Sequence, residues 1–298
     1  MKDLPVLTIS NFEDYNHCHH CGNSFYIRNL DKHLKDNLFL DRPHGHDFFI
    51  LLFITSGSGM HSIDFKNYHV KAGSLFLLSP GQVHHWNLSS DINGYILFFT
   101  KEYFQLDFNY NKLLTLPFFY THINSPCMEI KEEDIEQVSN IFKKIDDEYL
   151  NKRKLFHDVI RLNLKMLLIE LERKYTGNQQ ASGLMQYQMN QLHKLETLID
   201  AHYKEHKQIS EYASIMNISI KQLNTLCKKA LNKTPGDLLQ ERLILEAKRL
   251  LVYSDNSISS IAYSLNYTDN SYFIRLFRKL TTMTPEQFRI VQLSECIS

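Results

Sequence analysis

Two stretches of the chain offer hydrogen-bonding side chains on one helical face while apolar residues occupy another. Within Ser257 to Arg289, Tyr272, Phe273, Leu276, Phe277 and Leu280 recur at helical spacing. That leaves Asn270, Ser271, Ile274, Arg275 and Arg278 on other faces. Within Ile209 to Pro235, Leu223 and Leu226 face a core and leave Lys221, Gln222, Asn224, Thr225 and Lys228 outward. An Asn amide can bond adenine through two hydrogen bonds, an Arg guanidinium can do the same for guanine, and an Ile side chain fits a thymine methyl. Lys228, Lys229, Arg278 and Lys279 suit phosphates, which carry charge but no sequence information. A solvated helix face is the ordinary explanation for any one such residue. Two repeated faces of this composition favour recognition of a nucleic acid.

The elements that carry these faces form a repeated unit. Ser257 to Arg289 reads as a short helix with Ile258, Ile261, Ala262 and Leu265 on its buried side, then a break at Leu265-Asn266-Tyr267. A second helix follows, and a third begins at Pro285. Two short helices meeting at a tight turn, with Arg and amides exposed on the second, is the layout of a helix-turn-helix DNA reader. The same text occurs earlier. Ile209 and Ala213 align with Ile258 and Ala262 at an offset of 49, and Leu223, Leu226, Lys229, Thr234 and Pro235 align with Phe273, Leu276, Lys279, Thr284 and Pro285 at an offset of 50. The extra residue falls in the turn, where insertions are tolerated. Leu238, Leu239, Leu243, Ala247, Leu250 and Leu251 mark a connecting helix, which at about 18 residues would span ~27 Å. One B-DNA turn is ~34 Å, so both reading helices can reach successive major grooves.

IAYSLNYTDNSYFIRLFRKLTTMTPEQFR resembles the signature of AraC/XylS-type transcription regulators through Ile261, Ala262, Asp269, Ser271, Tyr272, Phe273, Arg275, Phe277, Thr284, Pro285 and Arg289. Two signature glycines are replaced, by Asn266 and Thr282. Asn tolerates the left-handed turn conformation, whereas Thr does not adopt it easily, so a reshaped turn is expected near Thr282. The resemblance puts base reading on Lys221, Asn224 and Thr225 in the first unit and on Asn270, Ser271, Ile274 and Arg275 in the second. It also implies a homodimer, double-stranded DNA and RNA polymerase as partners, activation as the commoner mode, and a small-molecule effector.

The N-terminal text is of another kind. Residues 1 to about 40 read as a polar, irregular lead-in, with a crowded HCHHCG at His17 to Gly22 that lacks the second ligand pair of a zinc finger. From Arg42 to Phe99, apolar runs at 48–54, 74–78 and 95–99 and an alternating run at 60–65 are separated by Gly, Pro and Asn turns, as in a small β-sandwich or barrel. The stretches RPHGHDFFILLFITSGSGMHSIDF and VKAGSLFLLSPGQVHHW resemble, more loosely, the cupin-type sensor domain common in AraC-family proteins. A barrel mouth lined by His44, His46, His84 and Trp86 could hold a small ligand. Metal-binding cupins add a Glu where this chain has Ile50 and Leu51, so neither a metal nor another cofactor is expected and an effector-contact or structural role is favoured. Lys131 to Tyr175 turns helical, with stripes at Ile135, Val138, Ile141, Phe142 and Ile145 and at Leu155, Val159, Leu162, Met166 and Ile169 that cover the barrel or, as in the resembled family, form a dimer interface. Thr176 to Gln188 reads as a flexible, uncharged linker.

The chain of 298 residues carries 33 basic and 33 acidic side chains. Residues 187–298 hold 14 Lys and Arg against 11 Asp and Glu, a mild basic excess that supports nucleic-acid binding only weakly. Five scattered cysteines, no signal peptide and no apolar run of membrane-spanning length point to a soluble cytoplasmic protein with no membrane partner. The expected class is α+β. A cupin-like sensor and dimerisation domain spans 1–175 (barrel about 42–125, helices about 131–175), a linker 176–188, and an all-α double helix-turn-helix domain 189–298. The functional expectation is a sequence-specific transcription regulator that is not an enzyme. The alternatives are a metal-dependent cupin enzyme, a ligand-binding protein with a helical appendage, or a protein-interaction scaffold.

Overall fold

The computed structural model describes residues 5–12, 24–37, 42–105, 116–119, 125–176, 183–205 and 208–295. Contacts divide the chain into two compact units, residues 5–180 and a second that takes residues 181–298.

The first unit is built on two five-stranded sheets. One has the order β1 (Val6–Leu7), β3 (His44–His46), β8 (Val83–Leu88), β5 (Gly59–Ile63), β6 (Lys66–Val70); the other has β10 (Cys127–Glu129), β7 (Ser74–Leu78), β4 (Phe49–Ser56), β9 (Asn93–Phe99), β2 (Phe25–Asn29). Strand β4 is apolar almost throughout because both of its faces are covered. Ile50, Leu52 and Ile54 join Phe76, Leu78, Trp86, Ile96 and Phe98 in one core. Phe49, Leu51 and Phe53 join Leu75, Leu77, Leu97 and Phe99 in a second, packed against helices α2 (Lys101–Gln105), α3 (Glu132–Asn151) and α4 (Phe156–Thr176). Gly94, the second residue of β9, lies opposite Ile54, where a Cβ would lie 1.9 Å from the Phe53 carbonyl oxygen, so no side chain fits there.

One expectation needs correction in this unit. The lead-in is not irregular: β1 pairs in parallel with β3, β2 pairs with β9, and helix α1 (Leu30–Asp36) follows with Asn29 as its N-cap. Phe25, Tyr26 and Ile27 are buried, but five residues flanked by polar text give too short an alternation to be noticed. The HCHHCG segment lies outside the described residues. On α4 the barrel-facing residues are Ile160, Leu164, Leu167, Leu168 and Leu171, whereas Val159, Leu162, Met166 and Ile169 are exposed. The helix is apolar on two sides, and spacing alone does not rank them.

The second unit is helical: α5 (Gly183–His202), α6 (Ile209–Ile215), α7 (Ile220–Leu231), α8 (Pro235–Tyr253), α9 (Ile258–Ser264), α10 (Asn270–Thr281) and α11 (Pro285–Glu295). Of the stretch read as a linker, residues 177–182 lie outside the described residues and 183–188 are helical. Gly183 stands only at the helix start, and the α5 residues Leu192, Leu195 and Ile199 supply a buried face that outweighs the Gln-rich composition. Arg242 of α8 stacks 4.1 Å from the Tyr203 ring centroid and bonds Asp200 of α5 at 2.7 Å, tying α5 to α8.

Candidate functional site

The repeat is reproduced at the level of caps and turns. Helices α6 and α9 differ by 49 residues, α7 and α10 by 50 at both ends, and α8 and α11 begin 50 apart. Asn217 and Asn266 close the first helix of each unit with φ of 55° and 65°. The next amides, of Ile218 and Tyr267, donate to the Ala213 and Ala262 carbonyls, both at a distance near 2.9–3.0 Å. Ser219 and Asp269 cap the second helices, accepting from the amides of Gln222 and Ser271. Thr234 and Thr284 cap the third helices, accepting from Asp237 and Gln287. Thr282 was expected to reshape its turn and does not. It takes φ 66° and donates its amide to Arg278 O at 2.8 Å, as Asn232 does to Lys228 O at 3.0 Å. The capping bond and the packing around it impose a conformation that a β-branched residue otherwise avoids.

These fixed ends decide which side chains face out. In α7 the buried residues are Leu223 and Cys227; Leu226 is only partly covered, because Cys227 rather than Leu226 occupies the core position equivalent to Phe277. In α10 they are Phe273, Leu276 and Phe277, while Tyr272 and Leu280, read from spacing as core, are exposed. Lys221, Thr225, Lys228 and Lys229 are exposed and Asn224 is half-buried. Asn224 Nδ2 donates to Ile220 O at 2.9 Å and Thr225 Oγ1 to Lys221 O at 2.8 Å, so both side chains rest on their own helix. On α10, Ser271, Arg275, Arg278 and Lys279 are exposed and Asn270 and Ile274 half-buried. Arg275 is 73% exposed, with only a loose 3.9 Å contact to Asp269. Asn270 Nδ2 donates to Ser259 Oγ at 3.0 Å. The signature residue Arg289 serves the fold: it donates to the Leu251 and Asn256 carbonyls at 2.8 and 2.6 Å, pinning α11 to the end of α8.

The other predicted group lies inside the first unit rather than at a mouth. His44, His46, His84 and Trp86 are all buried, and they come together with His61, which the sequence reading did not select. Register explains the meeting: His44 lies opposite His84, and His61 lies opposite Trp86 and one step diagonal to His84. The His84 ring centroid is 4.4 Å from that of His44 and 5.2 Å from those of His46 and His61. His61 Nε2 and His84 Nδ1 are 2.9 Å apart. Burial holds His44 and His84 below the usual imidazole range and lowers His61 to about 3, so all three are uncharged at neutral pH. The alternation of Met60-His61-Ser62-Ile63 was the available signal, since it points His61 and Ile63 to one face.

A repeated helix-turn-helix with polar second helices, preceded by a two-sheet domain with a polar centre, defines a DNA-binding regulator with a ligand-binding type of domain. Comparison with known proteins agrees. The family described as an AraC-like ligand binding domain matches residues 26–106, and the one described as a helix-turn-helix domain matches residues 212–290. The HTH-type transcriptional activator RhaR of Cronobacter sakazakii is 24% identical over 261 residues, covering 85% of this chain and 87% of its own. RhaS of Citrobacter koseri is 23% identical over 255 residues, covering 83% and 86%. The solved structure of ToxT from Vibrio cholerae is 13% identical, with a TM-score of 0.42 over 90% of this chain and 98% of that one. The chain belongs to the AraC family of DNA-binding transcription regulators.

Proposed function

We propose that this regulator is an effector-responsive activator that acts as a homodimer and reads two successive major grooves. The observation that carries the reading is the duplicated unit, with equivalent caps and turns and a polar outward face on each second helix. Helix α8, at 19 residues, is ~28 Å long, close to one duplex turn. Lys221, Asn224, Thr225, Asn270, Ser271, Ile274 and Arg275 read bases, and Lys228, Lys229, Arg278 and Lys279 hold phosphates. Asn224 and Thr225 exchange their intrahelical bonds for base edges on docking. The exposed stripe of α4 is the dimer face: Val159, Leu162, Met166 and Ile169 alternate at spacings of three and four, the pattern of a coiled-coil seam. His44, His46, His84 and Trp86 contact the effector. RNA polymerase is the partner of activation, as the names of the relatives support. Among the described residues no helix is long and apolar enough to cross a membrane, which is consistent with a cytoplasmic site of action.

The test is selection of bound duplexes from a random pool by the full chain, followed by Arg275→Ala. A recurrent bipartite sequence is expected. The variant should lose ~1–3 kcal/mol on it and relax one base position. Equal losses on selected and scrambled duplexes would remove Arg275 from base reading, and failure to enrich any sequence would remove the proposal.

A further inference from the structure

The short turn Tyr203–Glu205, which follows α5, meets parts of the helical unit that lie far apart in the chain. His202 Nδ1 donates to Glu205 Oε1 at 2.8 Å across it, which holds the turn closed. On one side the buried Tyr203 ring lies beneath the Arg242 guanidinium. Arg242 is the eighth of the 19 residues of α8, so the contact falls near the middle of the helix that joins the two repeats. Its charge is matched from two helices: Nε bonds Asp200 of α5 at 2.7 Å, and Nη1 bonds Glu246 of α8 at 3.1 Å. On the other side the Lys204 carbonyl accepts a 3.0 Å bond from Nδ2 of Asn266, in the turn of the second helix-turn-helix. Three residues after Glu205, Gln208 caps α6, the first helix of the first helix-turn-helix. One turn is therefore joined to the first repeat through the chain, to the connecting helix through a ring and to the second repeat through a hydrogen bond.

We propose that this turn is a gauge that sets the separation and angle of the two reading helices, with Asn266 and Arg242 as positioning residues that act through α7 and α10. Two observations select it. The path from α8 to α9 runs through residues 254–257, which form neither helix nor strand. Elements joined in that way pivot about the joint unless a contact away from it holds them. Arg289 pins α11 close to the joint, at the Leu251 and Asn256 carbonyls, and the Asn266 bond to Lys204 supplies a second contact beyond α9. The other observation comes from comparing the repeats. Asn217 holds the equivalent place with the same sign of φ, yet its side chain makes no hydrogen bond to a described residue. The turn itself therefore does not need the amide, and the bond at Asn266 serves something outside the turn. The consequence falls on DNA. One base pair of B-DNA is a step of ~3.4 Å and ~34°, so a rigid pair of reading helices accepts one spacing of half-sites and a hinged pair accepts several.

This inference rests on the two-groove reading, and a measurement without DNA keeps the two apart. Spin labels are attached at Lys229 and Lys279, equivalent exposed residues of α7 and α10, through an unnatural ketone side chain that leaves the five cysteines intact. The labelled full chain is diluted into excess unlabelled chain, so that only distances within one chain are read. Double electron–electron resonance should give one narrow distance distribution. Asn266→Gly tolerates the positive φ but lacks the amide, and Arg242→Lys keeps the charge but loses the planar face; each should broaden the distribution. An unchanged distribution in both variants overturns the gauge, whatever the chain does with DNA. The same variants, unlabelled, are then titrated with duplexes whose two selected half-sites stand one or two base pairs closer together or further apart. The unsubstituted chain should favour one spacing. Asn266→Gly should lose ~2- to 10-fold of that preference, the range that one hydrogen bond supplies, and Arg242→Lys should change it in the same direction, with base preferences inside each half-site unchanged. A loss by the same factor at every spacing is what a merely structural role predicts, and it overturns the gauge. An unsubstituted chain with no preferred spacing, whose labels still report the broadening, overturns the two-groove reading and supports the role of the turn in placing the helices.

Discussion

Asn266 and Thr282 stand where the family signature has glycine, and the structure gives both a positive φ, of 65° and 66°. Their consequences differ because their side chains do different things. Thr282 carries a β-branched side chain in a region that costs a non-glycine residue ~1–2 kcal/mol. Glycine regains part of that as disorder in the unfolded chain. Thr282→Gly should therefore stabilise the helical unit by ~0.5–1 kcal/mol, read from the urea midpoint of its far-ultraviolet signal. Asn266 tolerates the conformation better and donates Nδ2 to the Lys204 carbonyl at 3.0 Å. Asn266→Gly should lose about as much as a hydrogen bond contributes, ~0.5–1.5 kcal/mol, so the two substitutions are expected to shift the midpoint in opposite directions. Among the basic residues, Lys229 is exposed near the C-terminal end of α7. Lys229→Ala should weaken all duplexes alike and lower the salt slope by about 1, in contrast to the position-specific loss at Arg275.

At the scale of elements, α4 carries a buried apolar stripe and an exposed one, the second being the proposed dimer face. Leu164 and Leu167 are buried against the sheet, whereas Leu162 and Met166 are 61% and 42% exposed. Leu164→Ala should cost ~2–5 kcal/mol of stability through the cavity it leaves. Leu162→Glu or Met166→Glu should leave the unfolding midpoint nearly unchanged and convert the proposed dimer to monomer in sedimentation velocity; a mass unaffected by either would remove this stripe as the dimer face. The same helix shows what the sequence made legible and what it did not. Helical period was plain over 131–175, but Ile160, Leu164, Leu167, Leu168 and Leu171 form a further apolar stripe, and only the neighbouring sheet decides which stripe is covered. The order and offset of the duplicated helices were readable because their signals are local, prolines at 235 and 285 and apolar positions three and four apart, although Leu226, Tyr272 and Leu280 were assigned to the core and are not buried. Strand β2 and the meeting of His61 with His84 depend on pairings tens of residues apart, β2 with β9 and β5 with β8, which no local pattern encodes.

At the scale of the whole molecule, pH acts on the first unit through two buried imidazoles, His33 and His61. His33 and His61 are both lowered to about 3, chiefly by burial, with Arg28 adding to it at His33 and the neighbouring histidines at His61. An unfolded imidazole titrates near 6.5. Above that pH neither state is charged and the two rings make no pH-dependent contribution. Below it the unfolded chain takes up protons that the folded unit refuses, so stability falls as pH falls, from about 6.5 down toward about 3. The slope is ~1.4 kcal/mol per pH unit for each ring, or ~4 kcal/mol for the pair between pH 6.5 and pH 5. The chain has one tryptophan, Trp86, and it lies 5.6 Å from the His61 ring, centroid to centroid, so its fluorescence reports this unit alone. Urea midpoints followed by that fluorescence should drop steeply across this window. His61→Phe keeps the ring volume and removes one titrating group. It should shallow the slope by ~1.4 kcal/mol per pH unit whatever it does to stability at neutral pH, and an unchanged slope would mean that His61 takes up its proton without unfolding.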